Sequence, residues 1–130
     1  AVVPDAPLEA TDRLYRRATA RDVHFSFGAW LSERGPWFHA LEAANTGDRV
    51  GLVRDEADPM RRWVLKNDDG AVIGRMRNDF APPEGYVCDE ARIAWLLAGR
   101  QDPAKDDGFA KPPRGEWPVV LPEFVYRRSA

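Results

Sequence analysis

The chain has 130 residues, 44% of them hydrophobic and 31% charged, a composition that suits one soluble globular domain able to bury a core. Its formal charge of −2 excludes a global pull toward nucleic acid or membrane, so any such role must rest on a local patch. The single cysteine, Cys88, excludes an internal disulfide, and no run is apolar enough to span a bilayer or act as a signal peptide, so a cytoplasmic setting is expected.

Residues 1–7, AVVPDAP, read as a linker, with residues 8–130 forming a single domain. The chain begins with Ala rather than Met, and a domain excised from a longer protein is expected. LEATDRLYRRATARD predicts a helix, with Leu8, Leu14, Tyr15 and Ala18 on one face and Arg13, Arg16, Arg17 and Arg21 around the other. VHFSFGAW alternates Val23, Phe25 and Phe27 against His24, Ser26 and Gly28, the period of a half-buried strand. After the Gly35-Pro36 break, PWFHALEAANTG predicts a short helix with proline in its first turn.

The centre of the chain reads as β. DRVGLVRDE, RRWVLKN and AVIGRMRN are strands, and Asn67-Asp68-Asp69-Gly70 joins the last two as a hairpin, because these residues accept the positive φ of tight turns. APPEG is a rigid bend. CDEARIAWLLAGRQ fits a helix and also a buried strand from Arg92 to Leu97; both remain open. QDPAKDDGFAKPPRGE is a polar loop. WPVVLPEFVYRR is a strand that Pro118 and Pro122 demote to an edge or a bulge. These elements give an α+β fold, a small bent antiparallel sheet or partly open β-barrel with one or two N-terminal helices.

The hairpin carries the sharpest inference. With a two-residue loop, Trp63 and Leu65 share a face with Val72, Gly74 and Met76, while Arg62, Val64 and Lys66 share the other with Ile73, Arg75 and Arg77; a three-residue loop breaks this facing. Arg62, Lys66, Arg75 and Arg77 then crowd one small surface, and like charges across a ladder repel. Such a cluster needs either acidic neighbours, of which the 21 Asp and Glu residues offer many, or an anionic partner. A nucleic acid supplies phosphates to the cations, and Trp63, Phe80 or Tyr86 a surface on which unpaired bases stack.

Catalytic signatures are lacking. There is no phosphate-binding GxxxxGK[ST] loop, no GxSxG and no HExxH. His24 and His39 lie far apart and, with one cysteine, make no zinc site. No enzyme activity, metal or cofactor is expected of this chain.

The run from Gly47 to Tyr86, "GDRVGLVRDEADP…RWVLKNDDGAVIGRM…FAPPEGY", resembles the C-terminal accessory region of a subset of bacterial RecQ-family DNA helicases. The tail "GEWPVVLPEFVY" is similar to the tryptophan–valine–proline–glutamate ending of those proteins. More loosely, the stretch resembles the small β-barrel HIRAN domain through its "GD-x-V-x-L-x-R-E" opening and later "G-x-x-I-G". The resemblance covers residues 47–126 with a gap at 101–114. It implies a DNA-repair or recombination setting, with a helicase motor elsewhere in the same parent chain and single-stranded or junction DNA as partner. The HIRAN likeness implies binding of single-stranded DNA ends, but "ADPMRRWVLK" stands where that family carries an asparagine-rich segment, so only general DNA binding carries over. The expected DNA-binding residues are Arg62, Lys66, Arg75, Arg77, Trp63 and Tyr86. The alternative is a protein-interaction module that uses the edge strand Val119–Tyr126 or an exposed aromatic patch.

Overall fold

The computed structural model describes residues 12–101 and 112–129. Six strands, β1 (Arg13–Arg17), β2 (Arg49–Arg54), β3 (Trp63–Lys66), β4 (Val72–Arg75), β5 (Tyr86–Arg100) and β6 (Glu116–Arg128), form one antiparallel sheet in the order β1-β6-β5-β2-β3-β4. The described residues hold one α-helix, α1 (Pro36–Glu42), and a 3₁₀ turn at Phe27–Trp30. The architecture is broadly α+β, and the sheet is not closed into a barrel. No described helix is long and apolar enough to cross a membrane.

The helix expected from residue 8 is a strand where it is described; residues 8–11 lie outside the described residues. Arg13–Arg17 pairs with β6 from Arg13↔Arg127 to Arg17↔Glu123, and Leu14 turns inward to the core. A partner more than a hundred residues away overrides the local helical spacing. The strand expected over VHFSFGAW is likewise reduced to one bridge, Val23↔Met76. Beyond it, Phe27 N–H donates to His24 C=O at 3.1 Å and Ala29 N–H to Ser26 C=O at 3.0 Å, winding the chain into the 3₁₀ turn. Gly28 allows that turn to sit close, since a Cβ there would lie 2.8 Å from Leu41 Cδ2 and 3.0 Å from the Pro118 carbonyl. Helix α1 forms where expected, with Pro36 at its start and Leu41 buried.

The segment left open between helix and strand is β5, a strand of 15 residues. Its partner β6 runs 13 residues straight through both prolines, and the ladder explains why. Gln101 N–H donates to Gly115 C=O at 2.9 Å, so the alternation of antiparallel pairs makes Ala98↔Pro118 a wide pair, which asks for no N–H. Pro122 faces Ile93, whose own N–H and C=O go to Asp48 and Gly47 instead. The expectation that Val119–Tyr126 is an edge holds, among the described residues, for Val119–Leu121, which pair with β5 alone, and is corrected from Glu123 onward, where β6 is paired with β1 on one side and β5 on the other.

One core joins the layers. Leu41 from α1, Leu65, Ile73 and Met76 from the hairpin, Ile93 from β5 and Phe124 and Tyr126 from β6 are at most 2% exposed. Each fully buried Leu, Ile, Met or Phe side chain contributes roughly 1.5–3 kcal/mol. The hairpin thus holds its place through residues on one of its faces. The other face builds the site.

A candidate nucleic-acid groove

The hairpin turn has three loop residues. Gly70 N–H donates to Asn67 C=O at 3.0 Å, Asn67 N–H donates to Ala71 C=O at 2.9 Å, and Asn67 Oδ1 accepts the N–H groups of Asp69 and Ala71. Gly70 supplies the required positive φ of 82°. Such a loop displaces the facing by one residue, and a bulge opposite Leu65/Lys66 displaces it back. Between the two shifts, Val72 packs with Val64 while Ile73 joins the main core, the reverse of the expected facing. Beyond the bulge Leu65 faces Gly74 and Val64 faces Arg75, as the two-residue assumption expects. Two opposite errors in register cancel before the arginines.

The face that carries Arg62 and Arg75 is not bare. Phe27 from the 3₁₀ turn covers Val64 and Val72, and the Arg75 guanidinium lies over the Phe27 ring at 5.2 Å. Arg75 is half-buried, and its Nε has no hydrogen-bond partner among the described residues. Burial pulls its pKa down, helped by the nearby charge of Arg62. Arg62 donates from Nε to Asp58 Oδ2 at 2.7 Å, and the same carboxylate takes the N–H groups of Arg62 at 3.1 Å and Met60 at 3.2 Å. The Arg62 side-chain bond holds the Asp58 carboxyl well below the usual carboxylate range. Asp58 is 9% exposed, so this acid is spent inside the fold. Its neighbour Arg61 sits at φ 50°, a strained value for a side-chain-bearing residue, in the tight Asp55–Arg62 turn.

Beside this cluster is an open groove of about 480 Å³, lined by His24, Phe25, Ser26, Met60, Arg62, Arg77 and Asn78 among others.

His24 lies on the groove wall with Nε2 3.1 Å from Ser26 Oγ and Nδ1 buried without a partner among the described residues. Burial lowers its pKa, with the charges of Arg62 and Arg75 acting in the same direction, so the ring is neutral at pH 7. Arg77 is exposed at the rim, where its only acidic neighbour within ion-pair range among the described residues is Asp79 at 3.9 Å. Phe25 is 38% exposed and meets Trp117 edge-on at 6.4 Å.

Of the six residues expected from the sequence, Arg62 and Arg77 line the groove, while Arg75, half-buried over the Phe27 ring, is not among the lining residues. Lys66 sits opposite Gly51 and Val72 toward the turn, and the other two are not groove residues. Trp63 packs against the core with Arg54 6.0 Å over its ring, and Tyr86 opens β5 with Arg128 5.9 Å over its ring. His24, Ser26, Phe25 and Asn78 were missed. The alternation of VHFSF already put His24 and Ser26 on one side.

The 570 Å³ cavity between α1 and the hairpin turn is lined by Asp48, Asp68 and Asp69, which repel phosphate. Among the described residues no group of three or more His, Cys, Asp or Glu is placed to hold a metal ion. Burial pushes the Cys88 thiol up, away from the reactive thiolate. Compared with protein-family models, curated proteins and solved structures, the chain matches none of them.

Proposed function

We propose that this chain is a non-catalytic, nucleic-acid-binding accessory domain of a RecQ-like helicase, holding a single strand by its phosphates in the groove of Arg62 and Arg77. The observation that carries the reading is the convergence of two arginines, the Ser26 hydroxyl, the Asn78 amide and the exposed Phe25 ring on one open groove. The arginines supply charge, the neutral groups supply hydrogen bonds, and the phenyl ring offers a face to a base. Arg75, over the Phe27 ring and close enough to Arg62 to feel its charge, adds positive potential nearby. The helicase setting and a motor in the same parent chain rest on the sequence resemblance alone, and a cytoplasmic location on the single cysteine. In this reading the sheet is a partly open barrel, bent until Val23, beyond β1, bridges Met76, beside β4.

The test is fluorescence anisotropy of a labelled single-stranded oligonucleotide over a range of salt. Because Arg62 is already paired with Asp58, one phosphate, met by Arg77, is neutralised, and the plot of log affinity against log salt has a slope of about −0.7. Binding that ignores salt, or no binding at low salt, contradicts the reading.

A further inference from the structure

β5 outruns its neighbour. It pairs with β2 only at Arg92↔Arg49 and Ala91↔Val50, while its pairing with β6 continues to Arg100↔Glu116. From Trp95 to Arg100 one edge of β5 has no strand beside it among the described residues. The bond from Gln101 N–H to Gly115 C=O sets the alternation, so Leu96, Ala98 and Arg100 aim their N–H and C=O groups out of that edge. Trp95 is 54% and Leu97 36% exposed along it, and its one charged residue is Arg100. Long apolar edges of this kind recruit another strand.

We propose that this edge pairs antiparallel with the same edge of a second copy of the chain, centred on Ala98. The register is self-complementary. Ala98 faces Ala98 of the second copy, and Leu96 faces Arg100 in both directions, so each outward N–H and C=O meets a partner. No like charges face each other, because the two arginines fall at opposite ends of the seam. On the face that carries Trp95, Leu97 lies opposite Gly99 of the second copy, where a Cβ would overlap the Trp117 indole and the glycine leaves that space to it. The exposed leucine thereby meets an apolar surface. The inference stands independently of the nucleic-acid reading.

The test is sedimentation velocity over a wide range of protein concentration. The expected mass rises twofold from the 14.7 kDa monomer. Ala98→Pro removes only an outward N–H, in a wide pair that already faces a proline, and returns the mass to the monomer value while leaving the circular dichroism unchanged. In a Cys88→Ala background, Ala98→Cys cross-links to itself on oxidation, since the Cα atoms of a narrow antiparallel pair are about 5.5 Å apart. Trp95→Cys in the same background does not. A monomer at every concentration with no Ala98→Cys cross-link overturns the proposal. So does a dimer that Ala98→Pro leaves intact.

Discussion

Arg62 meets Asp58 three times: its Nε donates to Oδ2 at 2.7 Å, its Nη2 to Oδ1 at 3.4 Å, and its own backbone N–H to Oδ2 at 3.1 Å. One nearly buried carboxylate therefore fixes both the side chain and the main chain of the residue that walls the groove. Asp58→Asn should lower the melting temperature at neutral pH. The folded state holds the Asp58 carboxyl below its ordinary value of 3.8, so its contribution is present above that pH and is lost as pH falls through the folded value. The gap in melting temperature between the parent and Asp58→Asn should narrow as pH drops below 3.8. A gap that is constant with pH would contradict this.

His24 should titrate below 6.5 in the free protein, because burial and then the charges of Arg62 and Arg75 disfavour the imidazolium. A phosphate in the groove reverses the sign of the local charge. The His24 ring resonances, followed by NMR, should therefore titrate at higher pH in the oligonucleotide complex. By linkage, oligonucleotide affinity should rise as pH falls toward that value.

Arg114 donates from Nη1 to the carbonyls of Gly28 at 2.6 Å and Ala29 at 3.1 Å, and from Nη2 to Leu31 at 2.6 Å, with its guanidinium 3.8 Å from the Phe38 ring centre. It ties the 3₁₀ turn to the start of β6. Urea denaturation should show Arg114→Ala to be destabilised by about 3 kcal/mol, and Arg114→Lys should recover little, because an ammonium lacks the planar fork.

Gly99→Ala should cost about 1–3 kcal/mol, since its Cβ displaces the Trp117 indole and strains the 2.9 Å bond from Trp117 Nε1 to the Phe25 carbonyl. Gly51→Ala meets only the Lys66 carbonyl, at 4.0 Å, and should be tolerated. Thermal melts and tryptophan emission of the two variants distinguish them.

What the sequence revealed follows the range of the forces involved. The hairpin, α1 and the strand character of residues 49–54 are local, and Asn67, Gly70 and Pro36 mark them. β1 was misread because its strand character comes from β6, far along the chain. β5 was undecided for the same reason, and Pro118 looked disruptive until Ala98 opposite it proved to need no N–H. The site was half legible. Arg62 and Arg77 follow from strand alternation, but nothing local reveals that Phe27 lies under Arg75 or that His24 comes back to the hairpin.

The most direct measurement compares two charge reversals by anisotropy with a labelled single strand at low salt. Arg77→Glu removes a cation from the groove rim, and Arg49→Glu removes an exposed one that lies outside the groove. Both change the net charge equally and leave the core untouched. The account predicts that Arg77→Glu weakens binding roughly tenfold while Arg49→Glu has little effect. Equal losses in the two variants, or none in either, would contradict it.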